Sequence, residues 1–433
     1  MEERIEHRWR ATKRFLKRLG PGLVTGAADD DPSGIATYSQ AGAAFGFHML
    51  WMTLYMLPMM VSVQEISGRI GLVTGKGLAA IIKKHYSKWL LYGAVFLLVF
   101  ANVVNIGADI GAMAAAAQLF FPTAPFVLLT LFFSLGVALL EIILPYRRYS
   151  KVLKWLAVSL FAYVITAFVV TQPWMEILRS TAIPTIQLNS EFIITMVAVL
   201  GTTISPYLFF WEPSQVVEEE IRHGWLRITL KRKPKLSDTR VSNFRRDNFT
   251  GMLFSELTAF FIIITAASTL HVKGITDIPN AAAAAKALEP LVQSFPYAGQ
   301  IAKTIFALGI IGTGLLAIPV LAGSAAYAVS EAMGIQEGLF RKAARAKGFY
   351  IVIAGTTLGG LLINFVQIDP IKALFWAAVI NGVMAVPLIA IIIRIGNNKK
   401  IMGRYRTRPL MNAFATMTFF AMLAAVLAML FIH

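Results

Sequence analysis

Apolar residues in this chain run in long blocks, with short polar clusters between them, instead of alternating or recurring on one helix face. Blocks of about 20 residues are long enough to cross a bilayer as helices. Eleven spans are predicted: Gly20–Phe45, Leu50–Arg69, Trp89–Phe120, Pro125–Tyr146, Leu153–Thr171, Phe192–Glu218, Phe249–Leu270, Ile301–Ala332, Phe349–Val366, Ile371–Ile395 and Leu410–Ile432. This is the pattern of an all-α polytopic membrane protein. Two spans are interrupted: the first carries "GAADDDPSG" and the sixth "GTTISPY", each with a proline among small and polar residues. Proline removes a backbone donor and frees carbonyls of the preceding turn, which in lipid need another partner. Paired broken helices in corresponding positions point to an inverted repeat with its site near the midplane. The expected organisation is a tail at 1–19, a first repeat at 20–171 (spans one to five), a second at 192–395 (spans six to ten) and an eleventh span at 409–433.

Charge adds direction to this plan. The chain is 57% hydrophobic and 15% charged with a net charge of +17, and the cations cluster in alternate connections. One side holds Lys76, Lys83, Lys84 and Lys88; Arg147, Arg148, Lys151 and Lys154; the stretch from Arg227 to Arg246; Arg341, Lys342, Arg345 and Lys347; and Lys399 to Arg408. The other side holds only scattered cations such as Arg179, Lys273, Lys286 and Lys372. Positive loops stay inside, so the N-terminus is expected in the cytosol and the C-terminus outside, in the cell membrane. The excess charge then faces anionic lipid, and with no basic module apart from the spans, no nucleic-acid partner is expected. The stretch "LKRKPKLSDTRVSNFRR" reads as a flexible cytosolic loop, and the charged opening "MEERIEHRWRATKRFLKRLG" lacks the apolar core of a signal peptide. The absence of cysteine excludes disulfides and thiolate metal sites. No nucleophile with base and orienter, phosphate-binding loop or ATPase motif is present, which argues against an enzyme, a cofactor or an ATP-driven pump.

The chemistry concentrates at Asp29, Asp30 and Asp31. Carboxylates at bilayer depth are costly and mark functional sites by default. Asp31 before Pro32 is also a good helix start, with Asp capping and proline in the first turn, although capping does not call for three aspartates. Adjacent residues of a continuous helix point to different faces, so only an unwound segment brings more than one of them to an ion. Asp109 in "NIGADIGAM" is a further intramembrane carboxylate, for which one reading is a bundle-facing polar residue hydrogen-bonded to Asn102 or Asn105. Glu212 and Glu256 read as vestibule or packing partners. Glu218, Glu219 and Glu220 form either a solvated helix end or an electronegative exit funnel. Met49, Met52, Met56, Met59 and Met60 read as lipid-facing or core filler, and Trp51, Trp89, Trp174 and Trp225 as interfacial anchors.

These segments carry a family resemblance. "GPGLVTGAADDDPSGIATYSQAGA" looks like the first helix of the Nramp family of divalent-metal transporters, where an Asp-Pro-Gly-Asn motif breaks the span. "RIGLVTGKGLA" and "GADIGAMAAAAQLFFP" are similar to later family segments, and "GTTISPY" stands where the family has Met-Pro-His. The resemblance implies a LeuT-like inverted repeat of five plus five helices and one extra C-terminal helix. It also implies that Asp31 is the metal-binding aspartate and that the carbonyls of Ala28 and Thr202 are backbone ligands. Pro32, Ser33, Gly34, Gly201 and Pro206 would form the breaks, and Asn381 falls near an amide that completes the ion shell. The ligands themselves depart from the family: its asparagine is Gly34 here, its methionine Ser205, and its histidine Tyr207. Asp109 matches an acidic residue linked to proton movement, while the other acidic position is Ile106.

Losing a thioether and an amide while gaining hydroxyl and carboxylate oxygen moves preference from softer transition metals toward hard cations. Magnesium, which keeps several waters around one or two carboxylates, fits the space left by Gly34 and Ser205. The departures resemble the Nramp-related magnesium transporters. A tyrosine with a reference pKa near 10 is also a poor proton carrier at neutral pH. The expected activity is therefore import of divalent cations, Mg²⁺ first and Mn²⁺ next, by alternating access with little or no proton coupling. Its partners would be the ions and the bilayer, with a monomer as the expected state. The alternatives are a proton-coupled Mn²⁺/Fe²⁺ symporter of standard Nramp type, a Na⁺-coupled organic-solute transporter, whose substrate carboxylate the three aspartates would repel, and an ion channel.

Overall fold

The computed structural model describes residues 25–432 apart from 27, 144–159, 227–235, 294–296, 342 and 367. Helices longer than two turns are α1 Pro32–Phe45, α2 Leu50–Thr74, α3 Leu78–His85, α4 Lys88–Gln118, α5 Phe126–Ile143, α6 Phe161–Val169, α7 Trp174–Ala182, α8 Ser190–Thr203, α9 Pro206–Arg222, α10 Asp238–Thr269, α11 Ala298–Met333, α12 Lys347–Ile363, α13 Pro370–Gly396 and α14 Pro409–Phe431. No strand occurs among the described residues.

Eight stretches of the described residues are long and apolar enough to cross a membrane. One of them, Pro32–Thr74, turns at Gly46, whose φ of 58° suits glycine, and so holds the first two expected spans. The shorter α12 is the ninth expected span, and α6 is the described part of the fifth; Leu153–Ser159 lies outside the described residues. Both expected interruptions are present. Thr25, Gly26, Ala28 and Asp29 are helical before the backbone leaves the helix at Asp30 and Asp31, and α8 ends at Thr203 before α9 restarts at Pro206.

One boundary differs substantially from expectation. α10 begins at Asp238 instead of Phe249, so Asp238–Arg246 of the basic stretch is helix and not flexible loop. The side chain of Ser237 accepts from the Arg240 N–H at 3.4 Å and Asp238 occupies the first turn, a capping signature that the surrounding run of cations obscured. This extension brings Arg245 to 3.4 Å from Glu65, which is buried on α2 and already paired with buried Arg69.

Small residues let the central helices approach closely, as is usual where lipid gives no hydrophobic drive between them. A methyl group on Gly201 would lie 2.1 Å from the carbonyl oxygen of Ala378, so α8 crosses α13 at backbone contact. One on Gly42 would lie 2.4 Å from the Ile263 carbonyl oxygen, which fixes α1 against α10. α4 packs along α11, α12 and α13, and α9 along α2 and α11, placing the breaks inside the bundle. The periphery is apolar and exposed, as on α5 (Leu128, Phe132, Leu139) and α14 (Leu410, Phe420, Leu430). The five methionines from Met49 to Met60 are buried, which makes them core filler and not a lipid-facing set. Trp89, Trp174 and Trp225 are exposed, while Trp51 is half-buried.

Candidate functional site

At the first break Asp31 is extended (φ −73°, ψ 173°) and Pro32 opens α1. Its Oδ1 accepts from the Gly34 N–H at 2.8 Å and from the Ser33 hydroxyl at 2.6 Å. Its Oδ2 accepts from Asn105 Nδ2 on α4 at 3.0 Å. Asp31 is therefore an N-cap, and it is also buried at 1% exposure with a second oxygen facing another helix.

At the second break Ser205 is also extended (φ −75°, ψ 128°), and Pro206 opens α9. The Ser205 hydroxyl makes no capping bond; it turns back and donates to the Thr202 carbonyl at 2.5 Å and the Gly201 carbonyl at 3.3 Å. Among the described residues three side-chain bonds join the breaks. Ser33 and Thr202 hydroxyls lie 3.1 Å apart, Tyr38 and Thr203 hydroxyls 2.8 Å apart, and the Tyr207 hydroxyl donates to the Ala28 carbonyl at 2.9 Å. Both carbonyls expected as backbone ligands are thus bonded to hydroxyls, those of Tyr207 and Ser205. Asn381 lies next to Gly382, which packs on Gly201, and is buried with neither amide atom hydrogen-bonded.

The three aspartates separate. The Ser255 hydroxyl of α10 lies 2.7 Å from Asp29 Oδ2 and 3.1 Å from Asp30 Oδ1, so these two carboxylates face α10 while Asp31 faces α4. Glu256, next to Ser255, is buried and neither of its oxygens has a hydrogen-bond partner. Asp109 is fully buried, with no bond from either oxygen. That removes the expected pairing with Asn102 or Asn105: Asn102 donates to Leu321 O and Ser324 Oγ on α11, at 2.8 and 2.7 Å, and Asn105 to Asp31. Glu212 is a buried packing partner that accepts from the Thr25 hydroxyl.

The glutamates at the end of α9 are not uniformly solvated. Glu219 is partly exposed, 3.6 Å from Arg222. Glu220 is buried, and Glu218 accepts from the Tyr327 hydroxyl and, at 2.6 Å, from the Leu339 N–H. These last contacts tie α9 to α11 and to the segment that follows it. Ser255 and Asn105 are the contacts that sequence reasoning missed as site residues. A polar residue inside an apolar span was the available signal for Asn105, four positions before Asp109 and so on the same helix face.

Among the described residues no three His, Cys, Asp or Glu side chains group closely enough to hold a metal ion. A cation at the breaks would therefore depend on Asp31 together with neutral oxygens from hydroxyl, amide and backbone groups. The groups bonded there contain oxygen and nitrogen but no sulfur, a donor set for hard cations.

The chain matches the family model described as Natural resistance-associated macrophage protein-like over residues 22–432. It is 28% identical over 403 residues to MntH of Klebsiella pneumoniae, a divalent metal cation transporter, across 91% of this chain and 88% of that protein. Its fold resembles the crystal structure of a manganese transporter of Eremococcus coleocola with TM-score 0.72 and 16% identity, covering 96% of this chain and 87% of the other. It also resembles Mhp1, a nucleobase-cation-symport-1 family transporter in a closed conformation, with TM-score 0.59 and 12% identity, covering 96% and 92%.

Proposed function

This chain belongs to the Nramp family of divalent-metal transporters, and we propose that it carries Mg²⁺ preferentially, with Mn²⁺ next, by alternating access. It is a multi-pass membrane transporter and not an enzyme. The observation that carries the proposal is the placement of the Asp31 carboxylate where the two broken helices meet, among hydroxyl, amide and backbone groups. One carboxylate with neutral oxygens suits a dication that keeps part of its water shell. The hydroxyls on the Ala28 and Thr202 carbonyls fit the same picture, since water bound to the ion can bond to groups that the ion does not reach. The proposed orientation has the N-terminus in the cytosol and the C-terminus outside, on the strength of the cation distribution.

Transport in this reading runs down the electrochemical gradient with little or no obligatory proton movement. The residue in place of the family's histidine, Tyr207, donates its hydroxyl to a backbone carbonyl, and Asp109 has no hydrogen-bond partner from which to build a relay. Membrane potential suffices as a drive: about 2.3 kcal/mol per unit charge for each 100 mV gives roughly twice that for a dication, more than a thousandfold in equilibrium ratio. A standard proton-coupled manganese symporter is the competing reading, and its choice of metal is that of the manganese transporter of Eremococcus coleocola.

Purified protein in proteoliposomes separates the two. Cation flux should rank Mg²⁺ above Mn²⁺, and a trapped pH dye at clamped potential should stay flat during uptake. Metal-dependent acidification at a fixed ratio, lost in Asp109→Asn, establishes the proton-coupled reading, and flux of Mn²⁺ with none of Mg²⁺ overturns the selectivity.

A further inference from the structure

Asn105 is the polar side chain through which α4 touches the first break. It is fully buried, and its Nδ2 donates to Asp31 Oδ2 at 3.0 Å. Its Oδ1 has no hydrogen-bond partner. A buried amide oxygen left without a partner bears the full desolvation penalty of that atom. Since the two heteroatoms share one carbon, Oδ1 lies close to the same carboxylate. Oxygens that share an octahedral ion with bonds of about 2.1 Å sit about 3 Å apart in cis and about 4 Å apart in trans, a separation that one amide rotation at Asn105 can reach.

We propose that Asn105 is a ligand of the transported ion through its amide oxygen, an inference that rests on the reading of Asp31 as the principal ligand. Without the ion, the N–H points at the Asp31 carboxylate and holds it in place. With the ion bound to Asp31, the carboxylate lone pair is engaged, and a half-turn of the amide exchanges N–H for oxygen. A further neutral hard oxygen strengthens the preference for Mg²⁺ without adding charge to the buried site. The role belongs to Asn105 and not to Asn102 of the same helix: the amide oxygens of both lack a hydrogen-bond partner, but Asn102 Nδ2 is turned to Leu321 and Ser324 on α11, and it is Asn105 whose amide touches the Asp31 carboxylate.

A ligand and a mere positioning residue respond differently to substitution. An aspartate at this position supplies ligand oxygen but, when ionised, no N–H for Asp31; leucine supplies neither. Mg²⁺ binding to the purified full-length protein in detergent, measured by titration calorimetry with thermal melting as a folding control, distinguishes them. Asn105→Leu should weaken binding about tenfold or more, the scale of losing a group that supports a metal site, whereas Asn105→Asp should bind within about threefold of the unaltered protein or more tightly. If Asn105→Leu does not purify as a folded protein, Asn105→Ala takes its place with the same expectation. Equal losses in the aspartate and leucine variants, or no loss in either, overturn the ligand role. Asp31→Ala in the same assay keeps the two inferences apart. Undiminished binding there defeats the underlying site, while lost binding there with an adverse Asn105 result defeats only the proposal made for Asn105.

Discussion

The two helix breaks use the same backbone device with opposite chemistry. Each has an extended residue followed by proline at the start of a new helix, Asp31-Pro32 in one and Ser205-Pro206 in the other. Asp31 caps its helix and brings a charge, whereas Ser205 is neutral, caps nothing and bonds back to the helix it follows. Since the second break forms without a carboxylate, breaking the helix does not require one at the first. A buried charge that the backbone does not need is best explained by a cation it serves.

The largest effect expected from this contrast comes from removing the charge. Asp31→Ala should lower divalent-cation binding and proteoliposome flux by about 100-fold or more, beyond the range caused by loss of supporting groups. Asp31→Asn keeps an oxygen for the Gly34 N–H and should still be severe, because it lacks the charge. Ser205→Ala, at the matching position of the other break, should change binding only several-fold. Comparable behaviour of the Asp31 and Ser205 variants would erase the distinction between the breaks.

An intermediate effect is expected when both breaks are given the family's usual side chains. Gly34→Asn combined with Ser205→Met should move preference toward Mn²⁺ or Cd²⁺ relative to Mg²⁺ by about tenfold, or about 1.4 kcal/mol, as a thioether favours softer ions. The site has room for the first change. A methyl group on Gly34 would lie 3.3 Å from the Tyr38 ring and 3.5 Å from the Thr202 hydroxyl, so it points into the junction of the breaks with a small adjustment of Tyr38. Competition of Mg²⁺ against Cd²⁺ in a binding titration reads the shift; an unchanged ratio would show that positions 34 and 205 do not set selectivity.

Much of this comparison was legible in the sequence. Proline among small residues gives a local backbone signal, so both breaks and most spans could be located from short windows. The separation of Asp29 and Asp30 from Asp31 could not, because it depends on which face an unwound segment presents and on Ser255, more than 220 positions away. Asn105 was hidden for a similar reason: within α4 it looks like a companion of Asp109, and only the packing of α4 on the first break turns it toward Asp31. The helical start of α10 was obscured differently, by a run of cations that resembles a loop in composition although Ser237 and Asp238 carry a local cap. Contacts between distant segments leave no periodicity behind, whereas breaks and caps do.

The smallest expected effect concerns the hydroxyls that cover the two carbonyls. Tyr207 reaches across to Ala28 from the other break, while Ser205 bonds within its own, so only the first covering hydroxyl joins the two halves. If an arriving ion must displace it to reach the Ala28 carbonyl, Tyr207→Phe removes a bond of about 1 kcal/mol that competes with the ion, and Mg²⁺ affinity should rise about fivefold. If instead the ion keeps its water on that side, the carbonyl is not a direct ligand and the affinity should stay within twofold. A fall in affinity would mean that the Tyr207 hydroxyl contributes to binding, directly or by holding the two breaks together. Because Ser205→Ala leaves the link between the breaks intact, measuring it alongside Tyr207→Phe separates these cases. A rise in both variants points to displaced hydroxyls, while a fall confined to Tyr207→Phe points to the link between the two halves.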